Sequence, residues 1–348
     1  MKRWVAVVLA VLLALGLVFR QQIATSAEVA LLIAQVFPQV PVKPLGWVTR
    51  GPEHREVAFE GSDGRISADL WLPRPWIGKP ATSSEPALII CQGVKIPAGS
   101  ARSEFLDLGD ALARLGFVVL FPRLQALGNG KISLERPATY VRSFSYLHHM
   151  RAVDGKRISY LGFSVGSSIA LVAAAAPAIR ARVHALIFFA GYYSLTDYVA
   201  GFANDEDLYQ GRLVRWQPDP GAVRQVKHVV RSEGGNLIRV FHARSNRSAL
   251  HVLRSAGPKV QARLKRLDPA AHIRSYHAAT FILDDYGDTF VPYVESEKLD
   301  RALPPGQVKA FLITDVFHHV SPGQGGLLAL LGAFGSVFGF FYSALNFL

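Results

Sequence analysis

The chain has 348 residues, enough for one large domain carrying an insertion. Half of them are hydrophobic, high for a soluble enzyme and low for a multi-span membrane protein, so a folded core with one or two apolar appendages fits best. The net charge of +12 is concentrated in residues 211–275, where fourteen Lys/Arg face three acids. No zinc-ligand spacing, helix-turn-helix signature or aromatic RNA-binding motif accompanies them, so no nucleic acid is expected as a partner.

The chain opens Met1-Lys2-Arg3 and then runs without charge from Trp4 to Phe19, a basic segment followed by an apolar one. Sixteen helical residues span about 24 Å, short of a bilayer core of about 30 Å. Lys2, Arg3 and Arg20 could snorkel to close the gap. The pattern predicts an N-terminal membrane anchor over 1–27, with a cleavable signal peptide ending near Thr25-Ser26-Ala27 as its rival. A basic N-terminus places the bulk of an anchored chain on the extracytoplasmic face. Residues 28–54, with Pro38, Pro41, Pro44, Gly51 and Pro52, read as a linker.

Strands are expected next. Glu56–Glu60 and Ile66–Leu72 flank Gly61-Ser62-Asp63-Gly64, a hairpin signal. Pro86–Cys91, Phe117–Phe121, Ile158–Leu161, Ala185–Ala190, Thr280–Leu283 and Val308–Ile313 are apolar runs of the kind buried on both faces of a parallel sheet. Helical periods separate them over Phe105–Leu115, Ala138–Met150, Val165–Ala176 and Val294–Leu303. This alternation predicts an α/β fold, a mainly parallel sheet with helices on both faces. Residues 55–195 and 276–324 form its core, and the basic segment 196–275 is a helical cap inserted between strands. Residues 325–348 carry no charge. They are read as an apolar C-terminal helix that either packs on the sheet as the last helix of the domain or touches lipid along part of its length.

The sharpest motif is Gly162-Phe163-Ser164-Val165-Gly166, between an apolar strand and a small-residue helix. A serine on such a strand–turn–helix elbow is pushed out of the sheet, and side chains two positions either side of it would collide with backbone. The helix N-terminus and the Val165 N–H favour an oxyanion. The bland alternative is a plain β–α turn. A serine nucleophile needs a histidine base and a carboxylate to orient it, in the order Ser, Asp, His. Asp284, Asp285 and Asp288 follow the strand Thr280–Leu283. Asp288 is best placed, in the turn before Val291-Pro292, while Asp284 and Asp285 lie closer to the strand. Of eleven histidines, His318 and His319 alone follow the terminal strand. His319 is preferred as base and His318 is its alternative. The second oxyanion donor is expected in Gln92-Gly93-Val94, as the Val94 N–H. Cys91, the only cysteine, excludes an intrachain disulfide and reads as core packing.

On these stretches, together with Leu115–Pro122 and Leu312–Pro322, residues 55 to 345 resemble the α/β-hydrolase superfamily. The likeness is greatest to the dienelactone hydrolase/esterase-like branch and to membrane-anchored bacterial hydrolases with a short cap. Val260–Asp268 is similar to the end of a helical cap. The resemblance implies catalytic Ser164, Asp288 and His319. Two departures bear on substrate: Gln92-Gly93 stands where the family has His-Gly, and Asp284-Asp285 stands where His-Gly often precedes the acid.

The expected activity is hydrolysis of a carboxylic ester or thioester through an acyl-enzyme at the membrane surface, with no metal or organic cofactor. Anchor and basic cap point to a small-molecule or lipid-like ester, and to membrane contact through residues 4–19 and 325–348. The alternatives are an acyltransferase on the same triad and a catalytically silent, membrane-tethered module that binds through residues 211–275.

Overall fold

The computed structural model describes residues 19–61, 64–75, 83–93, 101–123, 136–232, 236–322 and 326–348. Its centre is an eight-stranded sheet of order β1-β2-β4-β3-β5-β6-β9-β10. These strands are β1 (Glu53–Gly61), β2 (Gly64–Leu72), β3 (Glu85–Cys91), β4 (Val118–Pro122), β5 (Val153–Phe163), β6 (Ala185–Phe189), β9 (Ala279–Asp285) and β10 (Val308–Thr314). The expected hairpin is there, antiparallel from Glu53↔Leu72 to Gly61↔Gly64. β2 also pairs antiparallel with β4, and every other pairing in the sheet is parallel. Strands β4 and β6 are buried along their whole length, as uninterrupted apolar runs require when helices cover both faces.

Two apolar clusters lie on the two faces. One joins the sheet to α4 (Arg136–His148), α5 (Val165–Ala174), α11 (Val294–Ala302) and the cap, with Phe144, Ile169 and Leu299 among its buried members. The other joins it to α1 (Arg20–Val36), a single helical turn α2 (Leu45–Val48), α3 (Ala101–Arg114) and α12 (Gly326–Phe347).

The cap runs from α6 (Leu195–Asn204) through α7 (Pro220–Ser232), α8 (Asn246–Arg254), α9 (Pro258–Leu267) and the short α10 (Pro269–His272). It also holds a hairpin that the periodicity did not predict, β7 (Glu206–Tyr209) with β8 (Arg212–Arg215). Its turn uses positive φ at Gln210 and Gly211, as a two-residue hairpin loop requires.

The linker expectation for residues 28–54 is corrected. The helix α1 reaches Val36, and Val29, Leu32, Ile33, Phe37 and Leu45 are buried. The spacing of Val29, Leu32, Ile33 and Val36 is helical, which the prolines further on obscured. Of the expected anchor over residues 1–27, residues 1–18 lie outside the described residues, and residues 20–27 belong to α1. Among the described residues, no helix is long and apolar enough to cross a membrane. The C-terminal half of α12 packs inward through Val337, Phe340 and Ala344. Arg157 Nε donates to the Leu348 carbonyl oxygen at 2.8 Å, and the His184 ring stacks on Phe347 at 4.8 Å.

Candidate active site

Ser164 sits between β5 and α5 with φ 55° and ψ −138°. This left-handed backbone costs a serine about 1–3 kcal/mol. Neighbouring bonds enforce it: Ser164 N–H donates to Phe189 O at 2.8 Å and Ser167 N–H to Ser164 O at 2.8 Å. The flanking glycines have no alternative. A Cβ on Gly162 would lie 2.4 Å from Ser167 Cα, and one on Gly166 would lie 2.2 Å from Cys91 O. The α5 N-terminus begins at Val165, where first-turn N–H groups lack intrahelical acceptors. Gly93 closes over the serine, since a Cβ there would lie 2.7 Å from Ser164 Cβ. The neighbouring Val94 lies outside the described residues. Cys91 is wholly buried and burial pushes its thiol up, in keeping with packing.

Asp288 follows β9. Its Oδ1 accepts N–H bonds from Phe290 at 2.7 Å and Val291 at 2.9 Å, and its Oδ2 lies 2.6 Å from His319 Nδ1. A carboxylate accepts, so Nδ1–H donates, and in the neutral ring Nε2 then carries the lone pair. The Phe290 ring lies 4.8 Å from the His319 ring, and His319 has φ 57°. His318 is exposed, on the short strand β11 (Phe317–His318) that pairs with β12 (Ser321–Pro322).

Ser164, Asp288 and His319 thus follow β5, β9 and β10 at one edge of the sheet, past the carboxyl ends of parallel strands. An aromatic chain links serine and histidine: Phe317 packs on Phe189 at 4.9 Å, and Phe189 packs on Phe163 at 5.9 Å. Among the described residues, no hydrogen bond joins Ser164 Oγ to His319. Such contacts often tighten only with substrate bound.

The two other aspartates are buried. Asp284 accepts from Asp285 N–H at 2.8 Å and from the Ser296 hydroxyl. Burial first, and then Asp288 nearby, push its carboxyl well above the usual range. Asp285 accepts from Gly287 N–H at 2.6 Å and is pushed up to about 6, chiefly by burial.

Two features are absent from the sequence expectations. Lys298 on α11 reaches Asp207 at 2.7 Å, Asp197 at 3.2 Å and Glu295, closing three carboxylates from cap and core around one ammonium. These three acids are spaced to hold a metal ion, but the lysine already supplies the positive charge. The spacing Glu295-x-x-Lys298 was the available hint. The second is Trp216, whose indole N–H donates to the Asp288 carbonyl at 2.8 Å.

No protein-family model and no curated protein matches the sequence. Solved structures do. Acylaminoacyl peptidase from Pyrococcus horikoshii superposes with a TM-score of 0.53 at 13% identity, over 84% of this chain and 41% of that one. A 2,6-dihydroxy-pseudo-oxynicotine hydrolase gives 0.52 at 14% identity, over 92% of this chain and 80% of that one. An esterase from the archaeon Pyrobaculum calidifontis gives 0.50 at 16% identity, over 94% and 93%. The fold is the α/β-hydrolase fold. Against the peptidase this chain spans about two fifths of the length. At 13–16% identity the likeness is one of fold, on which the serine elbow and the Asp288–His319 pair occupy the loops past the strand ends.

Proposed function

We propose that the chain is a serine hydrolase that cleaves carboxylic esters or thioesters through an acyl-enzyme at a membrane surface. The observation that carries the reading is the strained Ser164 elbow on the same sheet edge as the hydrogen-bonded Asp288–His319 pair. His319 Nε2 takes the Ser164 Oγ proton as Oγ attacks the carbonyl carbon. The oxyanion meets the Val165 N–H and, on this reading, the Val94 N–H. The imidazolium then gives its proton to the leaving alcohol or thiol as the acyl bond breaks. Water, deprotonated by the same nitrogen, hydrolyses the acyl-enzyme and regenerates Ser164.

Action at a membrane, with the domain on the extracytoplasmic face, is supported by the uncharged run Trp4–Phe19 behind a basic start. It is also supported by exposed apolar side chains near both ends: Phe19, Ile23, Trp47, Leu331 and Phe334. The helices α7, α8 and α9 contain no acid. They expose Arg224, Arg231, Arg247, Arg254, Lys259 and Arg266, which supports an anionic or lipid-derived substrate.

The test is labelling of the solubilised protein with a fluorophosphonate probe beside Ser164→Ala. Labelling of the wild type and not the variant is expected. Hydrolysis of p-nitrophenyl esters, but not of peptide anilides, is expected to follow, and added alcohol separates hydrolysis from acyl transfer by its products. A folded wild type that does not label overturns the reading in favour of a silent binding module.

A further inference from the structure

The cap is bonded to the turn that carries Asp288. The acid-bearing turn offers three consecutive carbonyl oxygens, and each accepts a hydrogen bond from the cap. Trp216 Nε1–H donates to Asp288 O at 2.8 Å, Asp219 N–H to Thr289 O at 2.8 Å, and the Tyr198 hydroxyl to Phe290 O at 3.0 Å. The donors come from three places in the insertion: α6, the residue after β8, and the residue before α7.

We infer that the cap positions the acid of the proposed reaction and that Trp216 is the positioning residue. The inference rests on the reading of Asp288 and His319 as acid and base. The turn the cap holds is the turn that orients the carboxylate. Phe290 and Val291 supply both N–H bonds to Asp288 Oδ1, and the Phe290 ring lies against the His319 imidazole. Moving residues 288–291 therefore moves carboxylate and imidazole together.

Trp216 is itself held firmly. It is 8% exposed, with its ring 4.8 Å from Phe202 and 6.4 Å from Tyr198. Tyr198 stacks on Tyr192 at 5.1 Å. The indole N–H thus cannot swing to water, and a turn that drifted away would leave a buried donor unsatisfied. Lys298 on the core helix α11 holds Asp197 and Asp207 of the cap, at 3.2 and 2.7 Å, and so keeps the cap from following a drifting turn. Cap and acid turn share one position, and displacement of the cap disengages the acid.

The experiment uses the full chain and three variants: Trp216→Phe, which keeps an aromatic ring and removes the donor; Tyr198→Phe; and Leu253→Ala, which opens a cavity at a buried position of α8, a cap helix outside the aromatic cluster that holds Trp216. The readings are the Ser164 fluorophosphonate labelling rate, kcat and KM on the best p-nitrophenyl ester, and Tm. Trp216→Phe is expected to lower kcat and the labelling rate about tenfold, with KM within about twofold. Tyr198→Phe is expected to lower both about threefold. Leu253→Ala is expected to lower Tm with kcat unchanged. A Trp216→Phe protein that loses Tm and keeps kcat overturns the inference. If that variant does not fold, the Tyr198→Phe result decides alone. Wild type that fails to label defeats the hydrolase reading itself, whereas equal labelling of wild type and Trp216→Phe defeats only the role of the cap.

Discussion

Among the described residues, five non-glycine residues have positive φ: Ser164, Ala190, Asp205, Gln210 and His319. Two are the proposed nucleophile and base, and Ala190 directly follows β6, the strand between β5 and β9. Strain persists only where surroundings over-determine it, and here Ser164 and Ala190 are each fixed by a backbone bond to the next strand. The same local logic separates the two histidines. His319→Gln is expected to lower kcat/KM by about 10⁴-fold, whereas exposed His318→Gln is expected to stay within about twofold. Equal losses in the two variants, measured on one ester, would refute the assignment. The serine and its glycines were legible from sequence because a steric rule ties them to adjacent positions. Trp216 was not, because its partner is 72 residues away and nothing around it marks the contact.

The elements were legible where burial is two-sided. β3, β4, β6 and β9 announce themselves as apolar runs, and the order of strands and helices follows from them. The strands β7 and β8 and the helix α1 escaped. β7 and β8 are four residues each, with exposed arginines at both ends of β8, so neither alternates clearly. α1 was concealed by the prolines that follow it. The cap joins the core through two stalks that are themselves joined. Tyr192 donates its hydroxyl to Leu267 O at 2.9 Å, Ala270 N–H donates to Tyr193 O at 3.0 Å, and Leu195 N–H donates to Asp268 Oδ1 at 3.0 Å. Burial first, with Asp197 adding to it, pushes the Asp268 carboxyl up to about 6. An acid raised in the folded state keeps a proton there that the unfolded chain releases. Its contribution to stability therefore falls as pH rises from about 4 to about 6 and stays low above that. Asp268→Asn retains an acceptor for Leu195 N–H and has no charge to bury. It is expected to melt a few degrees above wild type at pH 8 and level with it at pH 4, by thermal scans at both. A gain at pH 4 as large as at pH 8 would count against the buried charge.

At the scale of the whole molecule, insertion and core are joined by charge as well as by packing. Burial works against the Lys298 ammonium, but Glu295, Asp207 and Asp197 outweigh it and raise its pKa. Asp207 and Glu295 are wholly buried, so removing the lysine would strand carboxylates away from water. Lys298→Met is expected to destabilise the fold by about 3–5 kcal/mol, read from the urea midpoint. Lys298→Met with Glu295→Gln is expected to recover part of that, and a double variant no more stable than the single one would count against the electrostatic account. None of this was visible in the composition, which records the basic excess of the cap and not the few acids that fasten it.

Cys91 gives the protein an internal clock. It is the only thiol in the chain, it stands at the end of β3 near the centre of the sheet, and none of its surface is exposed. A thiol reagent reaches it only when the central strands part, so its modification rate reports the sheet's opening free energy without any introduced label. Conversely, a cysteine placed on the cap surface would be the sole site that reacts with the folded protein, which lets cap movement be followed separately from opening of the sheet.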